Sequence, residues 1–315
     1  IQVLQEMRRE LSPDDIAGTL VIIPVVNRTG FENRIPTIVP EDGKNLNRVF
    51  PGKANGFASE KLAWFMTSQL FSEIDFYVDL HCGGIFEDLD RYVYFVGACD
   101  EKVSAYARGA AEYCNVPYMV KSFSKTGCYN WAGCMGVPSL LLERGGRGRW
   151  SHEEVREDKA DVMNILKYVG MMDGEPQKPE NTPFLLEAPQ YLEIENSGFW
   201  YTDLKAGDRF NCGDELGYVT DYDGHVIERV VAEHDGQVLY LTKTLWASKY
   251  TEVICCAKLC NGGECHEHDH HHEHPGFEHI GTHHSSVMIT YTINCFYIRN
   301  MLKFLWKYSG GILIL

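Results

Sequence analysis

The chain is 315 residues long, 44% hydrophobic and 23% charged, a globular composition with enough length for a sizeable core in roughly two domains. Its 44 acidic against 29 basic side chains leave a net charge of -15, which argues against nucleic acid and anionic membranes as partners. Eleven cysteines are scattered without a regular framework, and a chain of this size needs no disulfide staples, so reduced thiols in a cytoplasmic setting are expected.

Residues 1–11 read as an amphipathic helix with Ile1, Leu4 and Leu11 on one face, unlike a signal peptide, and Ser12-Pro13-Asp14-Asp15 breaks it. The continuous apolar run 19–26 is what a parallel strand buried on both faces looks like, and it opens into a loop at Asn27-Arg28-Thr29-Gly30. A long polar connection follows, carrying Arg34, Glu41-Asp42-Gly43 and Asn45-Leu46-Asn47-Arg48; connections of this length are usually functional or disordered. Residues 58–74 predict a helix with Ser59 as its cap and Leu62, Phe65, Met66 and Leu70 as a core stripe. Residues 74–84 then predict a strand that delivers Asp79 and His81 to a Gly83-Gly84 loop.

Further strands are expected at 92–96, near 117–120 and at 138–143, with a helix around 101–114 between the first two. The last of these strands ends in Glu143, just before Gly145-Gly146, and Ser151-x-x-Glu154 then caps a helix carrying Val155, Val162, Leu166 and Val169. Strands alternating with helices over 1–180 predict an α/β fold, a mixed, largely parallel sheet flanked by helices. Gly174, Pro176 and Pro179 mark a linker, after which 181–258 shows short β-rich runs between closely spaced turns, a smaller all-β C-terminal domain. Residues 259–285 form a His/Cys-rich segment, with nine histidines between His266 and His284, expected to be disordered without metal and to bind it with low specificity. The stretch 286–315 is apolar but broken by Arg299, Lys303, Lys307 and Gly310-Gly311. It falls short of the uninterrupted run of about 18 residues that a membrane helix needs, and reads as a tail of unassigned role.

The chemistry converges on two strand ends. In a parallel sheet His81 and Glu143 lie on one edge, where a histidine can ligate a metal and a carboxylate can take a proton from water and pass it to a leaving amine. Asn47 and Arg48 add a planar guanidinium with an amide beside it, suited to holding a carboxylate, and Arg34 could serve as a second clamp. Each element also has a plain structural reading: a buried histidine with a satisfied neighbour, a strand-end ion pair of Glu143 with Arg144 or Arg147, and loop turn chemistry at Asn47. Together they describe an enzyme that hydrolyses an amide next to a carboxylate on a small-molecule substrate, with oligomerisation left open.

Three strings carry a family resemblance. Asp42-Gly43-Lys44-Asn45-Leu46-Asn47-Arg48-Val49-Phe50-Pro51-Gly52, Asp79-Leu80-His81-Cys82-Gly83-Gly84 and Gly136-Val137-Pro138-Ser139-Leu140-Leu141-Leu142-Glu143 resemble the succinylglutamate desuccinylase and aspartoacylase family, a branch of the zinc carboxypeptidase-like hydrolases. The resemblance runs from about Leu11 to Lys258. It implies a zinc-dependent deacylase acting on an amide or ester of a small N-acyl amino acid. His81 would be a zinc ligand, Glu143 the general base and acid, Asn47 and Arg48 the carboxylate clamp, and Arg34 a second clamp or oxyanion stabiliser. The β region to Lys258 would be the family's barrel-like domain, which is similar to biotinyl and lipoyl carrier folds. The family draws its other two zinc ligands from a His-x-x-Glu motif upstream of the opening helix, and no such motif precedes Asp79 here. The resemblance thus implies a member lacking its N-terminal part. The alternative function is an inactive chain that binds a small carboxylate, with low-specificity metal binding by 259–285; a cysteine hydrolase built on Cys82 ranks below both.

Overall fold

The computed structural model describes residues 1–258, 286–290 and 311–314. Its apolar strands join in one 12-stranded sheet, within which the order runs Arg209–Phe210, Gly236–Thr242, Glu252–Lys258, Phe184–Glu193, Tyr118–Ser122, Tyr92–Val96, Ser139–Glu143, Phe76–His81, Ser286–Thr290, Thr19–Ile23 and Gly311–Ile314. Around Phe76–His81 the pairing is parallel, and Tyr92–Val96 runs antiparallel to Ser139–Glu143. The fold is therefore mixed and mostly parallel, with helices flanking it, as the alternating pattern implies. Phe184–Glu193 pairs parallel with Tyr118–Ser122 on one side and antiparallel with Glu252–Lys258 on the other, so hydrogen bonding crosses the expected domain boundary without a break. A separate four-stranded antiparallel sheet is made by Val226–Val231, Glu215–Thr220, Gly198–Tyr201 and Trp246–Ala247. The packing is still divided: one core holds Leu20, Tyr77, Phe95 and Leu140, and a second holds Trp200, Leu216, Val238 and Ile254.

Several boundaries differ from the sequence reading for local reasons. The first strand stops at Ile23 because Pro24 has no N–H to give a sheet ladder. The opening helix, Gln2–Glu10, buries Val3, Leu4 and Met7 rather than the face of Ile1, Leu4 and Leu11. Ser59 does not cap the next long helix; its backbone N and hydroxyl donate to Asp42 at 2.8 and 2.7 Å, and the start of the helix is held by Glu60, which accepts from the Phe57 N–H at 2.8 Å. That helix runs as α over Ala58–Phe65, widens to a π turn over Met66–Leu70 and tightens to 3₁₀ over Phe71–Glu73. Ser151 caps as expected, accepting from the Glu154 N–H at 3.2 Å at the start of helix His152–Tyr168. Gly52 is fixed by sterics: its φ is +78°, and a Cβ there would lie 2.2 Å from the Glu60 carbonyl oxygen.

The stretch 286–315, set apart by its composition, supplies two strands. Ser286–Thr290 lies between Thr19–Ile23 and Phe76–His81, with Val287, Met288, Ile289 and Thr290 buried, and Gly311–Ile314 borders the other side of Thr19–Ile23. Parallel pairing on both flanks, not composition, gives Ser286–Thr290 its place. The histidine-rich segment 259–285 lies outside the described residues. Among the described residues no helix is long and apolar enough to cross a membrane.

On the far side of the Ser139–Glu143 strand end, buried Arg144 turns toward helix His152–Tyr168. It pairs with Asp161 at 2.8 Å, Asp158 at 3.2 Å and Glu157 at 3.6 Å, and donates to the Asn115 carbonyl at 3.2 Å. This one cation faces three carboxylates.

Candidate active site

The parallel register that pairs Asp79 with Leu141 also pairs His81 with Glu143, so both side chains rise from the same sheet edge and face. His81 Nδ1 stands 3.6 Å from Glu143 Oε1, and His81 Nε2 stands 3.4 Å from Asp79 Oδ2. The loops beyond are stitched together: the Gly83 N–H donates to the Gly145 carbonyl at 3.0 Å, and the Arg147 N–H to those of Gly84 at 3.0 Å and Glu87 at 3.1 Å. Small residues are needed there, since a Cβ on Gly146 would lie 2.7 Å from the Glu87 carbonyl oxygen. The ion pairs that could have neutralised Glu143 go elsewhere: Arg144 to the helix, and Arg147 to Asp88 at 2.8 Å.

Asp79 is wholly buried and backed by a polar chain, with Thr290 Oγ1 at 3.4 Å from Asp79 Oδ1 and Tyr77 Oη at 2.5 Å from Thr290 Oγ1 and 3.0 Å from Cys128 Sγ. Burial works against a charged imidazole, but the charges of Asp79 and Glu143 on either side prevail and hold His81 well above its ordinary pKa.

Asn47 and Arg48 lie on a 3₁₀ turn, Leu46–Arg48, with Asn47 Oδ1 accepting from the Cys128 N–H at 3.1 Å at the start of helix Cys128–Cys134. The exposed Arg48 guanidinium reaches the Asn47 carbonyl at 3.4 Å, and its charge acts on Glu252 and Tyr191, so it looks toward the same space. Arg34 is exposed, with φ 60°, on the turn after helix Arg28–Glu32, and among the described residues it makes no side-chain hydrogen bond or ion pair to His81, Glu143, Asn47 or Arg48.

Residues beyond the motifs complete the surroundings. Tyr92 and Tyr94 share the face of Glu143 through the register pairs Tyr92 with Glu143 and Tyr94 with Leu141. Tyr94 and Tyr191 hydroxyls meet at 3.3 Å, and Tyr240 donates to Glu252. The period-two pair Tyr92-x-Tyr94 was a readable signal; Tyr191, Tyr240 and Glu252 reach the site only through strand pairing across the sheet.

The profile of the succinylglutamate desuccinylase/aspartoacylase catalytic domain matches residues 1–169. The chain belongs to this family. The N-alpha-acetyl-L-2,4-diaminobutyric acid deacetylase of Halomonas elongata is 28% identical over 244 residues, spanning 75% of this chain and 71% of that protein. The product-bound ectoine utilization protein EutE (DoeB) of Ruegeria pomeroyi superposes with a TM-score of 0.72 at 26% identity, over 82% of this chain and 80% of the other. The succinylglutamate desuccinylase/aspartoacylase of Rhodobacter sphaeroides shares the fold, with a TM-score of 0.70 at 21% identity over 82% and 81% of the two chains.

For a member of the desuccinylase/aspartoacylase family, the donor set around His81 is short. A catalytic zinc takes three protein donors and keeps one position open. Around His81 the described contacts offer one imidazole with Asp79 and Glu143 at opposite ring nitrogens, and no second histidine among them. These groups do not converge as three donors on one point and do not fit a zinc hydrolase centre. The one described group of three such atoms within 4.8 Å of one another is Asp221, Asp223 and His225, beside a turn of the small sheet. Zinc binding by the full chain is therefore expected to be unchanged in His81→Ala, since nine histidines lie between His266 and His284. Loss of one tight zinc equivalent in that variant, read by metal analysis after dialysis, would contradict this.

Proposed function

We propose that this chain is a deacylase that hydrolyses the amide bond of a small N-acyl amino acid. The observation that carries the reading is the His81–Glu143 pair, 3.6 Å apart at adjacent parallel strand ends, with the buried Glu143 Oε2 lacking a hydrogen-bond partner among the described residues. That oxygen is available to a water. In the proposed mechanism Glu143 takes a proton from the water attacking the acyl carbon and returns it to the amide nitrogen as the C–N bond breaks. His81, kept charged by Asp79 and Glu143, stabilises the negative charge that develops on the acyl oxygen. Asn47 and Arg48 hold the substrate carboxylate. Zinc enters this reading only as a family expectation, with His81 as the one histidine at these strand ends among the described residues.

Arg48→Ala is expected to raise KM about tenfold or more while kcat falls less, because a clamp that grips the carboxylate equally in ground and transition states contributes uniform binding. Release of free amine from a panel of N-acetyl and N-succinyl amino acids reads both constants. An unchanged KM removes the clamp, and no release from any substrate removes the deacylase. A second reading, carboxylate binding without turnover, is favoured by the shortage of convergent metal donors; the same assay, paired with ligand binding, separates the two.

A further inference from the structure

We propose that Thr290 and Tyr77 are positioning residues of the candidate active site, a hydroxyl relay that fixes how Asp79 presents its carboxylate to His81. This rests on the deacylase reading and adds to it two residues that touch no substrate.

Thr290 closes the strand Ser286–Thr290, outside the residues 1–169 matched by the family profile. The parallel register sets it beside Asp79 on one flank and Ile23 on the other. Thr290, Asp79 and Tyr77 are wholly buried, and a buried carboxylate needs donors at its oxygens. One Asp79 oxygen, Oδ2, stands 3.4 Å from His81 Nε2, while the other, Oδ1, accepts from the Thr290 hydroxyl at 3.4 Å. The terminal torsion of an aspartate is broad, so the side chain's own rotamer does not set the plane of the carboxylate. A donor on the side away from the imidazole does.

A threonine hydroxyl has one hydrogen to give, and Tyr77 Oη lies 2.5 Å from Thr290 Oγ1. Burial and the charge of Asp79 hold the Tyr77 phenol well above its ordinary pKa, so it keeps its proton. Tyr77 can then donate to Thr290 and leave the threonine hydrogen for the carboxylate, the strongest acceptor within reach. The relay continues to Cys128, whose Sγ is 3.0 Å from Tyr77 Oη and whose N–H donates to Asn47 Oδ1 at 3.1 Å. One buried row of polar groups thus joins the partner of His81 to the turn that carries the proposed clamp. Packing does not account for the hydroxyl: a β-branched side chain suits a strand, but valine would meet that need, as Val287 does in the same strand.

The test uses the full chain. Thr290→Val keeps the shape of the side chain and removes the donor, whereas Thr290→Ser keeps the donor. Kinetics on the panel of N-acetyl and N-succinyl amino acids are paired with the ring nitrogen NMR signals of His81 at one fixed pH, identified by their loss in His81→Ala. In Thr290→Val, kcat is expected to fall about tenfold or more with KM changed less than about twofold, because misaimed groups are felt at the transition state. The His81 signals are expected to move with it, and Thr290→Ser to restore both. Tyr77→Phe, which leaves Thr290 in place, is expected to move the same signals and carries the test if the valine variant does not fold. A merely structural hydroxyl would lower the urea midpoint of Thr290→Val and leave kcat and the His81 signals unchanged, which overturns the inference and leaves the deacylase standing. Equal losses in Thr290→Val and Thr290→Ser also overturn it. If the wild type hydrolyses none of the panel, His81 signals that move in Thr290→Val but not in Thr290→Ser support the relay and overturn the deacylase. Unmoved signals in that case overturn both.

Discussion

Glu143→Gln is expected to lower kcat for deacylation by roughly 100-fold or more, with KM little changed. Glutamine keeps the shape and the place opposite His81 in the register, but it cannot accept the proton of the attacking water. The loss belongs in kcat because proton transfer is made in the transition state, not on binding. The variant also removes one of the two charges that hold the His81 ring protonated, so a shift of the pH profile should accompany the loss. Near-normal kcat in a folded Glu143→Gln protein would remove this residue from the chemistry.

Arg144→Ala is expected to destabilise the fold by about 3–5 kcal/mol, the usual consequence of stripping a buried cation from its carboxylates. Its guanidinium is the shared partner of Glu157, Asp158 and Asp161, and Asp161 is almost completely buried. Even with Arg144 present, burial pushes Asp158 up to about 7. A carboxyl whose folded pKa exceeds its unfolded value binds an extra proton when folded, so its contribution to stability falls as pH rises from about 4 toward 7. Without Arg144 the folded values move higher still. The deficit of the variant should therefore be small near pH 4 and grow toward neutrality, and urea denaturation at a series of pH values reads it directly. A deficit below about 1 kcal/mol at pH 7 would mean that the cluster carries little of the stability assigned to it.

What could be read from the sequence follows the range of the interactions. His81 and Glu143 were legible because each closes an apolar run and precedes two glycines, and strand ends in a parallel sheet gather on one edge. Ser151 was legible because its partner, Glu154, is three residues away. Ser59 offers the same local signal, but Asp42, across the preceding loop, claims its hydroxyl and its N–H. Asn47 and Arg48 stood out by residue type, yet the contact that fixes Asn47 comes from Cys128, which no local pattern links to it. Arg34 stood out by its chemistry alone, and its exposed turn forms no hydrogen bond or ion pair to the strand-end pair among the described residues. The Tyr191, Tyr240 and Glu252 wall depends on antiparallel pairings made after residue 184. Periodicity shows such strands but not their neighbours.

The position of Ser286–Thr290 bears on how the chain reaches its folded state. Thr19 finds its register partner in Ser286, and Phe76 finds its own in Val287, so the middle of the sheet is joined by contacts between distant parts of the sequence. Loop-closure entropy must be met before such pairings return any energy, which makes them slow. During synthesis, Thr19–Ile23 and the strand bearing His81 emerge long before the segment that lies between them. Until it arrives, each presents an unpaired apolar edge, open to other chains and to folding assistants.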